Sequence, residues 1–222
     1  MKRTIFFIAI AIIISSCKKD DRMVPSSFTE ARYTITISGK WSSPAFTVPP
    51  GAHYTTFIGM VHNSSASLWK DGAKTSYGIE VLAETGGGGP VLAEIDSTIN
   101  KGNGLSLLLF VAPSTTSSAN VNIYCNSNFS KVSFASMLGP TPDWFVGVSN
   151  FDLYRNDSWL ADTTVDLYAY DAGTEDGDVF AYNNAASVPQ QNIHVLQASQ
   201  AVVLANGNAV LAPIATVRFR KE

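Results

Sequence analysis

The chain has 222 residues, a formal net charge of −3 at neutral pH and 45% hydrophobic residues. This length suffices for one sizeable buried core, and the lack of a basic cluster argues against nucleic acid as a partner. Cys17 and Cys125 are the two cysteines of the sequence, so neither redox nor zinc chemistry is suggested.

The N-terminus has the pattern of a secretory signal. Lys2 and Arg3 precede an unbroken apolar run over residues 5–14. That run is too short to cross a bilayer, which takes roughly 20 residues, and it predicts a signal peptide over residues 1–16. The string that ends in Cys17 is ISSC, which resembles the bacterial lipobox. We therefore expect lipidation of Cys17, the alternative being an ordinary signal peptide with a chance cysteine.

The residues after Cys17 predict where the mature chain is displayed. Residues 18–21 read KKDD, which resembles the charged tag of lipoproteins exported to the outer face of the outer membrane. The alternative is a merely soluble tether. We expect an outer-membrane lipoprotein exposed at the cell surface, with residues 17–30 as lipidated cysteine and tether and residues 31–222 as one domain. Contact with the membrane is then expected through the lipid anchor alone.

Short runs with β-branched and aromatic residues recur along the domain, bounded by Gly, Pro, Asn and Ser. These runs predict an all-β fold, an antiparallel β-sandwich of about eight strands. Residues 197–204 form the best short helix candidate, and Gly86–Gly89 is expected to be a flexible hairpin loop between two strands. The predicted strands are residues 32–38, 54–61, 78–82, 91–95, 105–111, 121–125, 131–136, 144–148, 158–168 and 214–220.

Half of the acidic residues lie between Asp143 and Asp178, with Arg155 as the one basic residue among them. Carboxylates this close repel one another unless solvent or a cation screens them. Oxygen ligands on glycine-containing loops suit a hard cation such as calcium, and the alternative is a solvated acidic face. Asp143 and Asp171 are separated by about two strands and a turn, so both can lie at one end of a sandwich.

Signals for catalysis are weak. The sequence has three histidines, His53, His62 and His194, and none of the common hydrolase or nucleotide-binding motifs. We predict no catalytic residues. Two alternatives stay open, a secreted glycan-acting hydrolase that uses loop carboxylates and a purely structural envelope lipoprotein. Cys125 lies in a predicted strand and is expected to be a buried small hydrophobe.

Four strings converge on one family: AHYTTFIGMVHN (residues 52–63), LWKDGAKTSYGIEVLAETG (68–86), SMLGPTPDWFVGV (136–148) and DAGTEDG (171–177). Their order and spacing resemble the spondin domain family, the domain of F-spondin and mindin, over nearly all of residues 31–222. The resemblance implies an antiparallel β-sandwich of about eight strands with a calcium site at one end.

The resemblance also implies the ligands of that site. Carried over by position, they are Asp143, Asp171 and Glu175, with calcium as the cofactor. Glu175 stands where the family usually has Asp, so Asp176 is an alternative ligand. Animal members have a disulfide in the region that corresponds to residues 151–159, where this chain has no Cys. The resemblance thus implies a non-enzymatic adhesion module that binds an extracellular glycan or protein.

Overall fold

The computed structural model describes residues 29–222, so the predictions for the signal peptide, Cys17 and most of the tether lie outside the described residues. Strands dominate this part of the chain, and three helices accompany them. The strands are β1 (Glu30–Gly39), β2 (His53–Tyr54), β3 (Phe57–His62), β4 (Gly104–Phe110), β5 (Ser118–Asn126), β6 (Lys131–Gly139), β7 (Trp144–Asp152), β8 (Tyr154–Arg155), β9 (Ser158–Trp159), β10 (Asp162–Leu167), β11 (Ala169–Asp171), β12 (Glu175–Asp176), β13 (Ala185–Ala186), β14 (His194–Val195) and β15 (Ala215–Lys221). The helices are α1 (Tyr77–Thr85), α2 (Gly89–Asn100) and α3 (Val202–Ala205).

Two antiparallel sheets form the main body of the fold. Sheet I has the strand order β10-β15-β1-β5, and sheet II has the order β14-β11-β7-β6-β3-β4, with β2 paired to β6. Eight strands of these sheets are six residues or longer, namely β1, β3, β4, β5, β6, β7, β10 and β15. The expectation of an antiparallel β-sandwich is therefore confirmed.

Alternating polarity explains why the sheets face each other. In β1 the side chains of Tyr33, Ile35 and Ile37 are buried, while Thr34 and Thr36 between them point the other way. This period of two is what a strand with one face on a core requires. The inward faces of the two sheets share one hydrophobic core, which includes Trp41 and Trp144.

A second core lies between the outer face of sheet II and helices α1 and α2, and it includes Trp69. Here the sequence prediction was wrong, because residues 78–82 and 91–95 were expected to be strands. Ile79, Leu82 and Ala83 are the buried residues of α1 apart from Gly78, and Val91 and Ile95 are those of α2. Spacings of three and four residues place such side chains on one helix face.

Local capping fixes where α1 begins and ends. The Ser76 hydroxyl accepts a hydrogen bond from the Ile79 amide, and Gly86 closes the helix in a left-handed conformation with φ 70°. Pro90 lies in the first turn of α2, where its missing amide costs no hydrogen bond. Gly86–Gly89 thus joins two helices, and the expected hairpin loop between two strands was wrong.

Two further boundaries differ from the predicted ones. The run over residues 54–61 divides into β2 and β3, and the run over residues 158–168 divides into β9 and β10 before the chain crosses from sheet I to sheet II at Tyr168. The helix candidate at residues 197–204 is helical from Val202 to Ala205. Among the helices of residues 29–222, none is long and apolar enough to cross a membrane.

Candidate metal site

The antiparallel pairing of β7 and β11 brings the two distant acidic strings together. Asp143 directly precedes β7, Asp171 is the last residue of β11, and Asp171 lies opposite Trp144 in the register of the two strands. The Ala172 amide donates to the Asp143 backbone carbonyl at 3.2 Å, which continues the pairing into the loop. The sequence prediction that Asp143 and Asp171 share one end of the sandwich is therefore confirmed.

Asp143 is fully buried, and its two carboxylate oxygens have different surroundings. Oδ2 accepts three hydrogen bonds, from the Thr174 amide at 2.7 Å, the Thr174 hydroxyl at 3.1 Å and the Glu175 amide at 3.1 Å. Oδ1 is buried without a hydrogen-bond partner among the described residues. A buried oxygen without a partner lowers the stability of the folded state. A cation or a hydrogen-bond donor bound at this atom would remove that penalty.

Asp171 and Glu175 are half-buried, and each has one defined contact. Asp171 Oδ1 accepts the Gly173 amide at 2.7 Å, and Gly173 holds φ 75°, a turn conformation that favours glycine. Glu175 Oε2 accepts the Asn184 side-chain amide at 3.3 Å. Both carboxyl groups keep further acceptor capacity, since an ionised carboxylate has about four lone-pair sites.

The electrostatics of the site oppose the charged forms of all three groups. Burial raises the pKa of Asp143, although the hydrogen bonds that it accepts act in the opposite direction. Burial, and then the nearby charge of Asp143, raise the pKa of Asp171 to about 6. Burial also raises the pKa of Glu175, and the charge of Asp143 adds to that rise. Among residues 29–222, none of the three forms an ion pair with Lys, Arg or His.

Five of the six other carboxylates of the acidic stretch separate into two groups. Asp152, Asp162 and Asp166 lie elsewhere and form ion pairs with Lys131, Arg218 and Lys40. Asp176 and Asp178 are exposed, and they line an open cavity of about 500 Å³ together with Asp171 and Glu175. Asp157 is exposed in the turn between β8 and β9, and the remaining carboxylates of this stretch without an ion pair among the described residues lie at this end of the molecule.

Sequence reasoning missed several residues of this cavity, including His194, Gln191, Gln200 and Ser187. His194 lies opposite Asp171 in the pairing of β11 with β14, and its side chain contacts Gln200 at 3.2 Å. No sequence motif marks these residues, since β14 is two residues long and is placed by tertiary contacts. The pairing itself is what brings His194 beside the acidic string.

The arrangement fits a cation in its chemistry but is not a closed cage. No group of three or more His, Cys, Asp or Glu side chains within residues 29–222 has the geometry to hold a metal ion. The orphaned Oδ1 of Asp143 and the raised pKa values of its neighbours still favour a positive ligand here. Hard cations complete such sites with backbone carbonyls and water.

A scan against protein families matches residues 31–206 to the family described as Spondin_N. The matched range covers both sheets apart from β15, both helices of the second core and the whole acidic site. The chain belongs to the Spondin_N family.

The curated relatives that this chain resembles are longer than the region that matches it. Spondin-2 of Rattus norvegicus is 33% identical over 201 residues, which are 85% of this chain and 61% of the relative. Spondin-2 of Homo sapiens is 34% identical over 179 residues, 76% of this chain and 53% of the relative. Spondin-1 of Gallus gallus is 32% identical over 177 residues, 75% of this chain and 22% of the relative. The chain therefore spans less than two thirds of the length of these relatives.

Residues 151–159 contain no Cys, although a disulfide is expected in the corresponding region of animal members of the family. Other contacts hold this region. Asp152 accepts the Ser130 hydroxyl at 2.6 Å and the Tyr154 amide at 3.1 Å, and it pairs with Lys131. The rings of Tyr154 and Trp159 lie 4.9 Å apart across the small β8–β9 hairpin. Hydrogen bonds and aromatic packing thus fix this loop without a cysteine pair.

Proposed function

We propose that this Spondin_N chain is a calcium-binding, non-catalytic adhesion module held at a cell surface by lipid on Cys17. One observation carries the calcium part of the proposal, the fully buried Asp143 carboxylate with an unpartnered Oδ1 beside Asp171 and Glu175. Three like charges without a basic partner destabilise the folded state, and a divalent cation reverses the sign of that interaction.

In this proposal Asp143, Asp171 and Glu175 hold the ion. Calcium supplies positive charge and six to eight oxygen contacts, the remainder of which come from backbone carbonyls and water. Asp143 is fixed by Thr174 and Glu175 before any ion binds, so it is the preorganised member of the set. Glu175 is the adaptable member, because its side chain is longer and half-exposed.

Thermal unfolding of the protein without residues 1–17 tests the site, in millimolar calcium and in chelator. A ligand at about 100 times its dissociation constant adds roughly 2.7 kcal/mol to the free energy of unfolding. For a domain of this size we expect the midpoint to rise by roughly 5 to 10 °C. The rise is expected to disappear in Asp171→Asn.

Asp178→Asn is the matched control, because Asp178 is exposed at the rim of the same cavity. This variant is expected to keep most of the calcium-dependent rise. If wild type shows no rise up to about 10 mM calcium, with retained metal excluded by elemental analysis, the calcium assignment fails and the acidic residues are a solvated face.

The adhesion part of the proposal draws on family membership and on the exposed loops around the cavity, which are a suitable contact surface for a glycan or protein. A hydrolase that uses Asp143 is disfavoured, because a fully buried carboxylate cannot contact a glycan. Binding of the lipid-free protein to glycan and matrix-protein arrays, with and without calcium, tests adhesion. Binding to neither array would instead favour a structural envelope lipoprotein.

A further inference from the structure

Two buried polar side-chain atoms within residues 29–222 have no hydrogen-bond partner, and they belong to consecutive residues. One is Oδ1 of Asp143, and the other is the indole nitrogen Nε1 of Trp144. Both side chains are fully buried. An unpaired N–H group in the interior lowers the stability of the folded state. A cation at the candidate metal site would satisfy the Asp143 oxygen, but it cannot satisfy a hydrogen-bond donor.

The other three of the four tryptophans have a partner for the indole N–H group. The three bonds run from Trp41 to the Thr47 carbonyl at 2.8 Å, from Trp69 to the Phe134 carbonyl at 3.1 Å, and from Trp159 to the Thr29 hydroxyl at 3.0 Å. Buried tryptophans in proteins usually pair this group. Trp144 is therefore the exception among the tryptophans of this chain, and it lies at the acidic end of the sandwich.

The pairing of β7 with β11 places one acceptor beside the Trp144 indole. Asp171 lies directly opposite Trp144 in that register. Directly opposite residues share one face of a sheet and have Cβ atoms about 4.5 to 5.5 Å apart. Trp144 belongs to the core between the sheets, as does Ala169, two residues before Asp171. The Asp171 carboxyl group is therefore on the inner face of sheet II, next to the indole.

The electrostatics of Asp171 agree with this contact. Burial and then the charge of Asp143 raise the pKa of Asp171, whereas the Trp144 indole acts in the opposite direction, as a donor to the ionised form does. Among the described residues, the Gly173 amide is bonded to Oδ1 of Asp171 at 2.7 Å. Oδ2 is therefore the oxygen that is available to the indole.

We propose that Trp144 is a positioning residue for the cation, and that its indole N–H group donates to Oδ2 of Asp171 when calcium is bound. This inference rests on the proposed calcium site. Asp171 is ionised when it binds a cation, and a hydrogen bond to an ionised acceptor is roughly twice as strong as one between neutral groups. A neutral donor also fixes the direction of the carboxylate without cancelling its charge, which Lys or Arg would do.

The calcium affinity of the full-length protein in detergent, measured by competition with a fluorescent chelator, tests the role of this donor. Trp144→Phe keeps an aromatic ring and removes the indole N–H group. We expect its dissociation constant for calcium to be about ten-fold higher than that of wild type, the size of effect that partners of metal ligands typically have.

Trp41→Phe is the matched control. Trp41 is fully buried in the same core, and its ring contacts Phe180, as that of Trp144 does. The Trp41 indole donates to a backbone carbonyl and not to an acidic residue. Both variants are expected to lose stability because the smaller ring leaves a cavity. Trp41→Phe is nevertheless expected to keep the calcium affinity of wild type.

Nuclear magnetic resonance of the indole groups separates a hydrogen bond from a packing effect, and it uses wild type, so it does not depend on the folding of Trp144→Phe. Isotopic labelling of tryptophan nitrogen gives a resonance for each indole N–H group. On addition of calcium we expect the Trp144 indole proton to move downfield, because it enters a hydrogen bond to a carboxylate. The indole protons of the other three tryptophans already have partners and are expected to stay in place.

The outcomes distinguish this inference from the calcium site on which it rests. If wild type binds calcium and the Trp144 indole proton does not move, the inference is overturned and the calcium site stands. A calcium dissociation constant of folded Trp144→Phe equal to that of Trp41→Phe would also overturn it. If wild type binds no calcium, the proposed function and this inference both fail.

Discussion

At the scale of single residues, the acidic site lowers the free energy of unfolding when no cation is bound. Asp143 is held by three hydrogen bonds to one oxygen and none to the other. Burial, and then the nearby charge of Asp143, raise the pKa of Asp171 to about 6 from an ordinary 3.8. Without a bound cation, ionisation of Asp171 at neutral pH therefore works against folding.

Asp171→Asn is predicted to stabilise the calcium-free protein, the opposite of its effect with calcium. The shift from 3.8 to about 6 corresponds to about 2 kcal/mol at pH 7, after allowance for partial exposure. The Asp171 carboxyl group keeps its proton to higher pH in the folded than in the unfolded state. Its contribution to the stability of wild type is therefore lost as the pH rises from about 4 to about 6. Denaturant unfolding in chelator measures the difference between variant and wild type.

The buried His62 also makes the free energy of unfolding depend on pH. The effect of Asp171→Asn is therefore measured as the difference between variant and wild type at each pH. His62 is buried between the Asn63 carbonyl and the Ser133 hydroxyl, and burial lowers its pKa. Its contribution to stability is therefore lost as the pH falls below about 6.5, in the opposite direction to that of Asp171. Because both proteins contain His62, a variant-minus-wild-type difference that does not grow between pH 4 and 6 would contradict the Asp171 prediction.

At the scale of elements, the eight strands of six residues or longer could be predicted, and the two helices of the second core could not. Alternation in residues 32–38 fixes β1, because each apolar side chain meets the core between the sheets. Residues 78–82 and 91–95 are short apolar runs rich in Val, Ile and Leu, which suit a strand or a helix equally well. The signals that decide, Ser76 as a cap and Gly86 as a terminator, depend on the whole segment.

The contact between α1 and α2 leads to a matched pair of predictions. A Cβ atom on Gly78 would lie 2.7 Å from the Val91 Cα atom, whereas one on Gly89 would have no atom within 4 Å. Gly78→Ala is therefore expected to destabilise the protein by about 1 to 3 kcal/mol, because the helices must separate. Gly89→Ala is expected to be neutral or to stabilise by up to about 1 kcal/mol.

Chemical denaturation of both alanine variants, followed by far-ultraviolet circular dichroism, gives the two free energies of unfolding. Equal effects of the two substitutions would contradict the helix contact. The Ser76 hydroxyl and the Gly78 amide both donate to the Glu94 carboxylate, each at 2.7 Å. These two hydrogen bonds join the start of α1 to Glu94 of α2. If Gly78→Ala unfolded α1 and left α2 intact, the two helices would be separable folding units despite these bonds.

At the scale of the whole molecule, the acidic end could be predicted in part. In the sequence, Asp143 and Asp171 are separated by about two strands and a turn, so both can lie at one end of the sandwich. The sequence does not mark Thr174, whose amide and hydroxyl fix Asp143, or His194, which arrives on a strand of two residues. Such contacts come from tertiary packing, and local patterns contain no information on them.

The proposed lipid anchor makes a prediction for the intact protein. Cys17→Ala is expected to move the protein from the membrane fraction to the soluble fraction, because acyl chains supply the binding to the bilayer. Cys125→Ala is the matched control, since Cys125 is buried in sheet I and cannot reach a membrane. Fractionation followed by immunoblotting measures both, and a membrane-bound Cys17→Ala protein would exclude a lipid at this residue.

The course of β1 determines which way the acidic cavity points. The chain enters the described domain at Thr29, beside the start of β1, where Tyr33 pairs with Lys221 near the C-terminus. Gly39, at the other end of β1, pairs with Ala215, which also pairs with Leu167, four residues before Asp171. Ten strand residues span about 30 Å. A molecule tethered through its N-terminus would thus hold the cavity at its far pole, turned outward from the bilayer that anchors it.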